Sequence, residues 1–420
     1  MDRISHLPDE VLSRILSFLP TKDVMRTMLL SKRYKSLWIT VPRLEFDELT
    51  HFPERVSLRC PDPDYGIFRR FVDRSLMSRE GLVLQSLNLK LGRHSTYDDI
   101  EIWVRTAVKR GLMELKLEYV YYRRGFVPKS LYTCETLVVL NLEMGCLDVP
   151  DLISLRSLKT LTLKSMSYSD ENALLRLLPN CPVLEDLVIQ EISHSETCEL
   201  VFKIVVPSLK KLSLIDAKIT QLLIDAPSLK YFHIVDRSRC LSFSESINIH
   251  EVVEAKVEVI LSRPEKLLHS LASVEHIRLC LSASEVVYPL GSCFHRLKHL
   301  EVCTCKSEWL DLFMHLLQNS PSLKVIKINQ CHPVTNPRPQ WKQPGSVPRC
   351  FSSNLEIFEW IEYEGRQEEK ELSTYILKTA VCLKKASFTA KSTDSNKKLQ
   401  MLQELALSPR VSSTCELVFN

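Results

Sequence analysis

LVVLNLEMG at residues 137–145 is followed by LKTLTLKSM at 158–166, and both begin with one pattern, apolar-x-x-apolar-x-apolar. Leu140 and Leu142, like Leu161 and Leu163, flank a single polar residue, the period-2 alternation of a strand with one buried face. Outward in both directions the pattern returns, ending in Leu87-Asn-Leu89, Leu115-Lys-Leu117, Leu187-Val-Ile189, Leu212-Ser-Leu214 and Phe232-His-Ile234. It resumes with Ile277-Arg-Leu279, Leu300-Glu-Val302 and Ile326-Lys-Ile328. Successive starts from Leu84 to Leu323 lie 20 to 28 residues apart, except for 45 residues between Leu229 and Val274. That gap is two periods, so one degenerate repeat is expected within residues 247–262.

Such intervals are those of a leucine-rich repeat. No repeat can bury its apolar face alone, so the array must stack, with one short strand per repeat pairing in parallel along a concave face. Phrases such as LLPNCPVLEDL (177–187) and LLQNSPSLKVI (316–326) place a helical turn and a break before the strand, which predicts a helical or irregular convex side. Cys181 and Cys331 read as small residues near breaks and strand ends, and Cys303, of Cys303-Thr-Cys305, as a buried counterpart of the leucines. The residues between the paired apolar positions face outward. The early ones (Asn88, Lys116, Asn141, Thr160, Thr162) suggest no chemistry. The later ones are Lys211, Tyr231, His233, His276, Arg278, His299 and Lys327, with Glu301 interrupting. Parallel strands about 4.8 Å apart would set His276 beside His299 and Arg278 beside Glu301. Tyr231, His233, His276, Arg278, His299 and Lys327 are therefore the candidate target-binding residues. Three readings stay open: a solvated face, an aromatic and cationic strip suited to an acidic or phosphorylated segment, and a metal site of His276, His299 and a carboxylate. The last lacks a third ligand. No metal and no cofactor is expected.

Upstream, residues 4–48 read ISHLPDEVLSRILSFLPTKDVMRTMLLSKRYKSLWITVPRLEFDE. Pro8, Asp9 and Glu10 open a helix at its positive dipole end, and Val11, Leu12, Ile15, Leu16, Phe18 and Leu19 follow at helical spacing. Pro20 stops it. Thr21 is placed to cap a second helix and Ser31 a third, which carries Tyr34, Leu37 and Trp38. So small a core cannot hide this many large apolar side chains, and the surplus predicts an interface. The segment resembles an F-box, in particular the plant form that begins LPDEVLSRILSFLPTKD and ends LSKR…SLW. The resemblance implies docking onto a Skp-type adaptor and, through it, a cullin scaffold. It assigns Leu7, Pro8, Ile15, Leu16, Leu19 and Pro20 to the adaptor-facing pattern and Trp38 to the closing tryptophan. Tyr34 departs from the family, many of whose members place another tryptophan there. The alternative is a helical cap on the first repeat.

Downstream, PVTNPRPQWKQPGSVPR at 333–349 holds five prolines and reads as a connector. Beyond it, RQEEKELSTYILKTAVCL is an amphipathic helix with Leu372, Tyr375, Ile376, Thr379 and Leu383 on one side. The EEKEL…YILK.A.CLKKASF run and the LQELALSPR.SS.CELVF ending resemble the FBD domain of plant F-box proteins. Its expected role is a cap over the last repeat's edge, with a regulatory or partner-binding surface as the alternative.

Composition narrows the function classes. Glycine occurs 9 times in 420 residues, far below the usual ~7%, and no GxGxxG or GxxxxGK[ST] loop is present, which disfavours a nucleotide-dependent enzyme. HExxH, GxSxG and CxxC are absent too, and HEVVE at 250–254 has Glu254 where a zinc helix needs its second histidine. A net charge of +4 without Lys/Arg tracts falls short of a nucleic-acid binder, so neither nucleic acid nor membrane is expected as a partner. The opening residues lack a secretory apolar run, and the 14 cysteines follow no framework spacing, so reduced thiols in cytoplasm or nucleus are expected. The expected fold class is α/β. A three-helix F-box (1–48) and a connector (49–80) precede an irregular leucine-rich-repeat solenoid (81–332); a Pro-rich connector (333–345) and an FBD cap (346–420) follow. The implied role is the non-catalytic substrate-recognition subunit of an SCF-type cullin ubiquitin ligase, with an unknown target protein. A non-ligase interaction scaffold or a small-molecule co-receptor is the alternative.

Overall fold

The computed structural model describes residue 4 and residues 6–51, 65–78, 83–120, 125–191, 200–217, 219–237, 241–261, 265–283, 293–305, 309–332 and 341–420. Residues 52–64, 79 and 80 of the 49–80 connector and residues 333–340 of the Pro-rich one lie outside them. The chain divides into two units, Met1–Ser195 and Glu196–Asn420.

The first unit opens with helices Asp9–Leu16, Thr21–Thr27 and Lys32–Thr40. Prolines 8 and 20 stand just before the first two, where φ near −60° suits a helix start and no side chain caps the amides. Ser31 does cap the third helix, its Oγ accepting the Tyr34 amide at 3.5 Å. Thr21 departs from expectation. It is the first residue of its helix, it is buried, and its Oγ1 accepts the Glu45 amide at 2.7 Å, which ties the helix to the following strand. Leu12, Leu16, Val24, Leu37, Trp38 and Val41 form the core of the three helices, with Leu7, Met25, Met28, Tyr34 and Ile39 packed against it. Arg33 holds the start of the module, with Nη2 2.5 Å from the Leu7 carbonyl and from Asp9 Oδ1.

Strand Arg43–Asp47 leaves this module and begins a parallel sheet that continues through Ser86–Leu91, Glu114–Tyr119, Val139–Glu143, Thr160–Lys164 and Asp186–Gln190. The register turns the sequence repeat into two apolar columns. Leu44, Leu87, Leu115, Leu140, Leu161 and Leu187 fill one; Phe46, Leu89, Leu117, Leu142, Leu163 and Ile189 fill the other. All twelve are buried, so each strand's inward face is covered by its neighbours' convex segments. Helices Tyr65–Met77 and Tyr97–Val108 lie on that convex side, joined by Trp103 Nε1 donating to Asp73 Oδ1 at 2.7 Å. The Glu48 carboxylate, 1% exposed, accepts from the amides of Gly92 (2.7 Å) and His94 (3.1 Å) and from Ser95 Oγ (2.6 Å).

In the second unit the strands are Lys211–Ile215, Tyr231–Asp236, Glu254–Leu261, His276–Ala283, His299–Cys303 and Val325–Asn329. The degenerate repeat expected within 247–262 supplies strand Glu254–Leu261, in which Ala255 and Val257 take the column positions. Its first three repeats differ from expectation on the convex side. Strands Leu200–Val205, Ile219–Asp225 and Ser242–Asn248 form a separate parallel sheet where helical turns were predicted. The repeat from Leu209 to Leu229 is short, 20 residues, and its ITQLLID run, rich in β-branched residues, suits a strand. Helices return with Glu265–Ser270 and Trp309–Gln318.

The C-terminal segment prolongs the same sheet. Strand Val325–Asn329 pairs in parallel with Ile357–Tyr363, and Lys385–Ala390 and Glu416–Phe419 follow. Helix Gln367–Thr379 buries Leu372, Tyr375 and Ile376, the face predicted for it, while Leu383 is buried just beyond its end. The Glu369 carboxylate closes its first turn by accepting the amides of Arg366 (3.1 Å) and Glu364 (2.9 Å). Helix Ser395–Ala406, capped by Asp394, precedes the last strand.

Candidate protein-docking sites

In the helical module, helix Asp9–Leu16 is apolar on two sides and has only one core to fill. Leu12 and Leu16 face that core; Val11 and Ile15 face solvent, and Phe18 and Leu19 follow them outward. Leu29 and Leu30, just past the second helix, are 90% and 71% exposed, which no isolated fold would favour. Of the adaptor-facing residues the family pattern suggests, Ile15, Leu19, Pro8 and Pro20 are exposed and Leu7 is partly buried. Leu16 and Trp38 are 3% and 6% exposed and serve as core. The sequence pattern could not separate the two apolar faces, because both obey the same helical period.

In the second unit, the six candidate target-binding residues fall on the outward rows of one face. One row runs Tyr231, Glu254, His276, His299, Val325; the next runs His233, Lys256, Arg278, Glu301, Lys327, Glu359. His276 and His299 are paired in register with ring centroids 5.9 Å apart, and Arg278 is paired with Glu301, as strand spacing predicts. Strand Glu254–Leu261 adds what the sequence left blank. Lys256 Nζ lies 5.4 Å over the Tyr231 ring and 3.3 Å from Glu254.

The row is not a cationic strip. Glu301, only 13% exposed, takes Arg278 at 3.4 Å on one oxygen and Lys327 at 3.7 Å on the other. Burial holds His233 below the usual imidazole value; the Lys256 and Arg278 charges add to this and Glu258 opposes it. Burial, then the neighbouring His276, does the same to His299. Near neutral pH both rings are uncharged, and the face is a mosaic of aromatic groups and compensated ions. His276 and His299 gather no carboxylate into a metal-ligating set among the described residues.

The one set of His, Cys, Asp and Glu side chains that could hold a metal, among the described residues, lies at the far end of the same strands. Cys280, Cys303, Cys305 and His332 place their ligand atoms within 4.8 Å of one another. Cys280 Sγ is 3.2 Å from Cys305 Sγ and 3.7 Å from His332 Nδ1, and the Cys331 amide donates to Cys303 Sγ at 3.2 Å. The Cys280 hydrogen bond is the largest influence pulling the Cys303 thiol below its ordinary value.

Comparison with known proteins agrees with both ends of this architecture. The F-box domain family matches residues 4–46, the leucine-rich repeats of the FBD-associated F-box protein At5g56370 match 100–260, and the FBD family matches 343–388. Over the full length of both chains the protein is 68% identical to FBD-associated F-box protein At5g56380 of Arabidopsis thaliana. The chain belongs to the FBD-associated F-box proteins. Other Arabidopsis relatives include F-box/FBD/LRR-repeat protein At5g56420, 43% identical across 100% of this chain and 99% of that one, and F-box/FBD/LRR-repeat protein At4g26340, 41% identical across both. An F-box joined to leucine-rich repeats is the construction of a substrate adaptor, and F-box proteins are generally non-catalytic. Among the described residues no helix is long and apolar enough to cross a membrane.

Proposed function

We propose that this FBD-associated F-box protein is the substrate-recognition subunit of an SCF-type cullin ubiquitin ligase. The F-box docks on a Skp-type adaptor, and the leucine-rich repeats present a target protein. The observation that carries this reading is the solvent-facing apolar set Val11, Ile15, Phe18, Leu19, Leu29 and Leu30, laid around an already complete helical core. Helices of a partner suit such a face. The chain then acts as a linker, and holding target and ligase together makes ubiquitin transfer effectively intramolecular. The chemistry of transfer belongs to other subunits.

On the target side, Tyr231, His233, His276, Arg278, His299 and Lys327 are the proposed contact residues. The internal neutralisation of Arg278 and Lys327 by Glu301 supports a target segment of mixed charge with an apolar or aromatic contact, over a purely acidic or phosphorylated one. None of the eleven described cysteines is joined in a disulfide, which supports a reducing compartment, cytoplasm or nucleus. The test is capture of a Skp-type adaptor by the purified full chain. Capture that is lost on Ile15→Asp with Leu19→Asp, in a variant that still melts cooperatively, supports the ligase role. A folded wild-type chain that captures no adaptor overturns it and leaves a non-ligase scaffold.

A further inference from the structure

The sheet places four soft ligand atoms together without any motif in the sequence. Cys280 leaves strand His276–Ala283, Cys303 closes strand His299–Cys303, Cys305 lies two residues beyond it, and His332 follows the exit of strand Val325–Asn329. Three successive repeats therefore converge on one point. All three cysteines are nearly inaccessible, at 5%, 3% and 2% exposure, and none is engaged in a disulfide. Tetrahedral Zn–S bonds of about 2.3 Å set ligand atoms about 3.8 Å apart. The separations here, 3.2 and 3.7 Å for two pairs and at most 4.8 Å for all, bracket that edge. Small side-chain rotations are enough to bring the four donors to that spacing.

The surroundings are those of ligands. His332 Nε2 lies 2.9 Å from Glu258 Oε1, so its proton is directed to the carboxylate and Nδ1 turns its lone pair toward the thiols. Arg237 braces Glu258 at 3.5 Å and Asp216 at 3.5 Å. The Cys331 amide already points at Cys303 Sγ, a bond that favours a thiolate there. Arg278 Nη2 lies 3.1 Å from Cys331 Sγ, which puts a positive charge next to a site that becomes anionic when filled.

We propose that Cys280, Cys303, Cys305 and His332 form a structural zinc site that staples three consecutive repeats at the end of the concave face. Binding converts three thiols to thiolates and releases three protons, so that one Zn²⁺, three sulfurs and a neutral imidazole make a complex of net charge −1. Four protein ligands leave no open position, which makes the site structural and not catalytic. Thiolate softness selects zinc over magnesium, calcium or manganese. The proposal stands independently of the ligase role.

The test uses the full chain, purified under reducing conditions without a metal-chelating resin. Elemental analysis should find about one zinc per chain. Exchange with Co²⁺ should give the intense visible bands of a tetrahedral centre and a thiolate-to-cobalt charge-transfer band. Cys303→Ser and Cys305→Ser should each lose most of the metal, whereas Cys350→Ser, a buried thiol of another element, should keep it. His332→Ala guards against misfolding, because His332 is partly exposed; its cobalt spectrum should shift as water or another donor replaces the imidazole. The proposal fails if the wild-type chain carries no zinc and takes up no cobalt, or if metal persists in all three cluster variants. It fails equally if alkylation of freshly lysed cells, read by mass spectrometry, finds Cys280 joined to Cys305 as a disulfide.

Discussion

Ile15 and Leu16 are neighbours in one helix, yet the structure assigns them opposite duties, and their truncations should separate binding from stability. Ile15 and Leu19 are 46% and 42% exposed, whereas Leu16 is 3% exposed. Shortening Ile or Leu to Ala removes three carbons, each worth ~0.8 kcal/mol on full transfer from water. Half of each side chain is already buried in the free chain, so docking can gain about 1 kcal/mol from each. Ile15→Ala with Leu19→Ala should weaken adaptor binding by about 2 kcal/mol, roughly 30-fold in Kd. The melting temperature should stay close to that of wild type. Leu16→Ala opens a cavity in the core of the module and should cost about 2–5 kcal/mol of stability while removing no solvent-facing docking area. Calorimetric titration of the adaptor, paired with thermal melts of each variant, reads both quantities. Should the double variant bind within about twofold of wild type, the exposed apolar set is not the docking surface and the reasoning fails.

Tyr231→Ala with Arg278→Ala should abolish capture of the target in crosslinking from cell extract while adaptor capture persists; an unchanged set of crosslinked partners removes the concave face from the mechanism. Glu48→Ala removes the shared acceptor of two amides and a hydroxyl in a part-buried site and should destabilise the first unit by about 1–3 kcal/mol, seen as a lowered melting temperature. Thr21→Val keeps the shape but leaves the Glu45 amide unpaired, for a loss of about 1–3 kcal/mol in urea unfolding. His233 and His299 both have folded pKa values below the ordinary 6.5, so the unfolded chain binds more protons just below that pH. Their contribution is complete above about pH 6.5 and is lost as pH falls; His299→Gln should flatten the acid side of a melting-temperature profile.

The sheet was legible because leucine spacing is a direct imprint of parallel register: apart from Ala255 and Val257, the column residues from Leu87 to Ile328 could be named from the period. Strand Glu254–Leu261 was legible only as a gap, since Ala255 supplies too little apolar volume to mark its column. The convex sheet of the second unit was not legible. Short runs such as ITQLLID lack a clear alternation and mark strands only once their neighbours in the same sheet are known. On the docking side, periodicity identified the apolar residues of helix Asp9–Leu16 but not which of its two apolar faces turns inward, and the family pattern, which includes Leu16 and Trp38, does not mark them as core. The thiol cluster left no signal. Its members are separated by 23, 2 and 27 residues, which matches no metal motif and becomes proximity only through the fold period.

The same period explains why so few glycines suffice. Met144, Ser165 and Asp216 each follow a strand and have φ of 62°, 49° and 48°, in the left-handed region that usually calls for glycine. Each costs about 1–2 kcal/mol in backbone strain. Each also donates its amide to the last residues of the next strand: Met144 to the Lys164 carbonyl at 2.9 Å, Ser165 to Gln190 and Asp216 to Val235, both at 2.7 Å. The strained exit thus recurs because it completes the interstrand ladder, and at Asp216 the side chain makes a further contact. Its carboxylate holds Arg237, which holds Glu258, which in turn meets His332 Nε2. Glycine at 216 would relieve the strain and cut this chain at its first link. A scaffold that keeps strain to fix such contacts is built to present a preformed face, and recognition by it should need little rearrangement of the repeats.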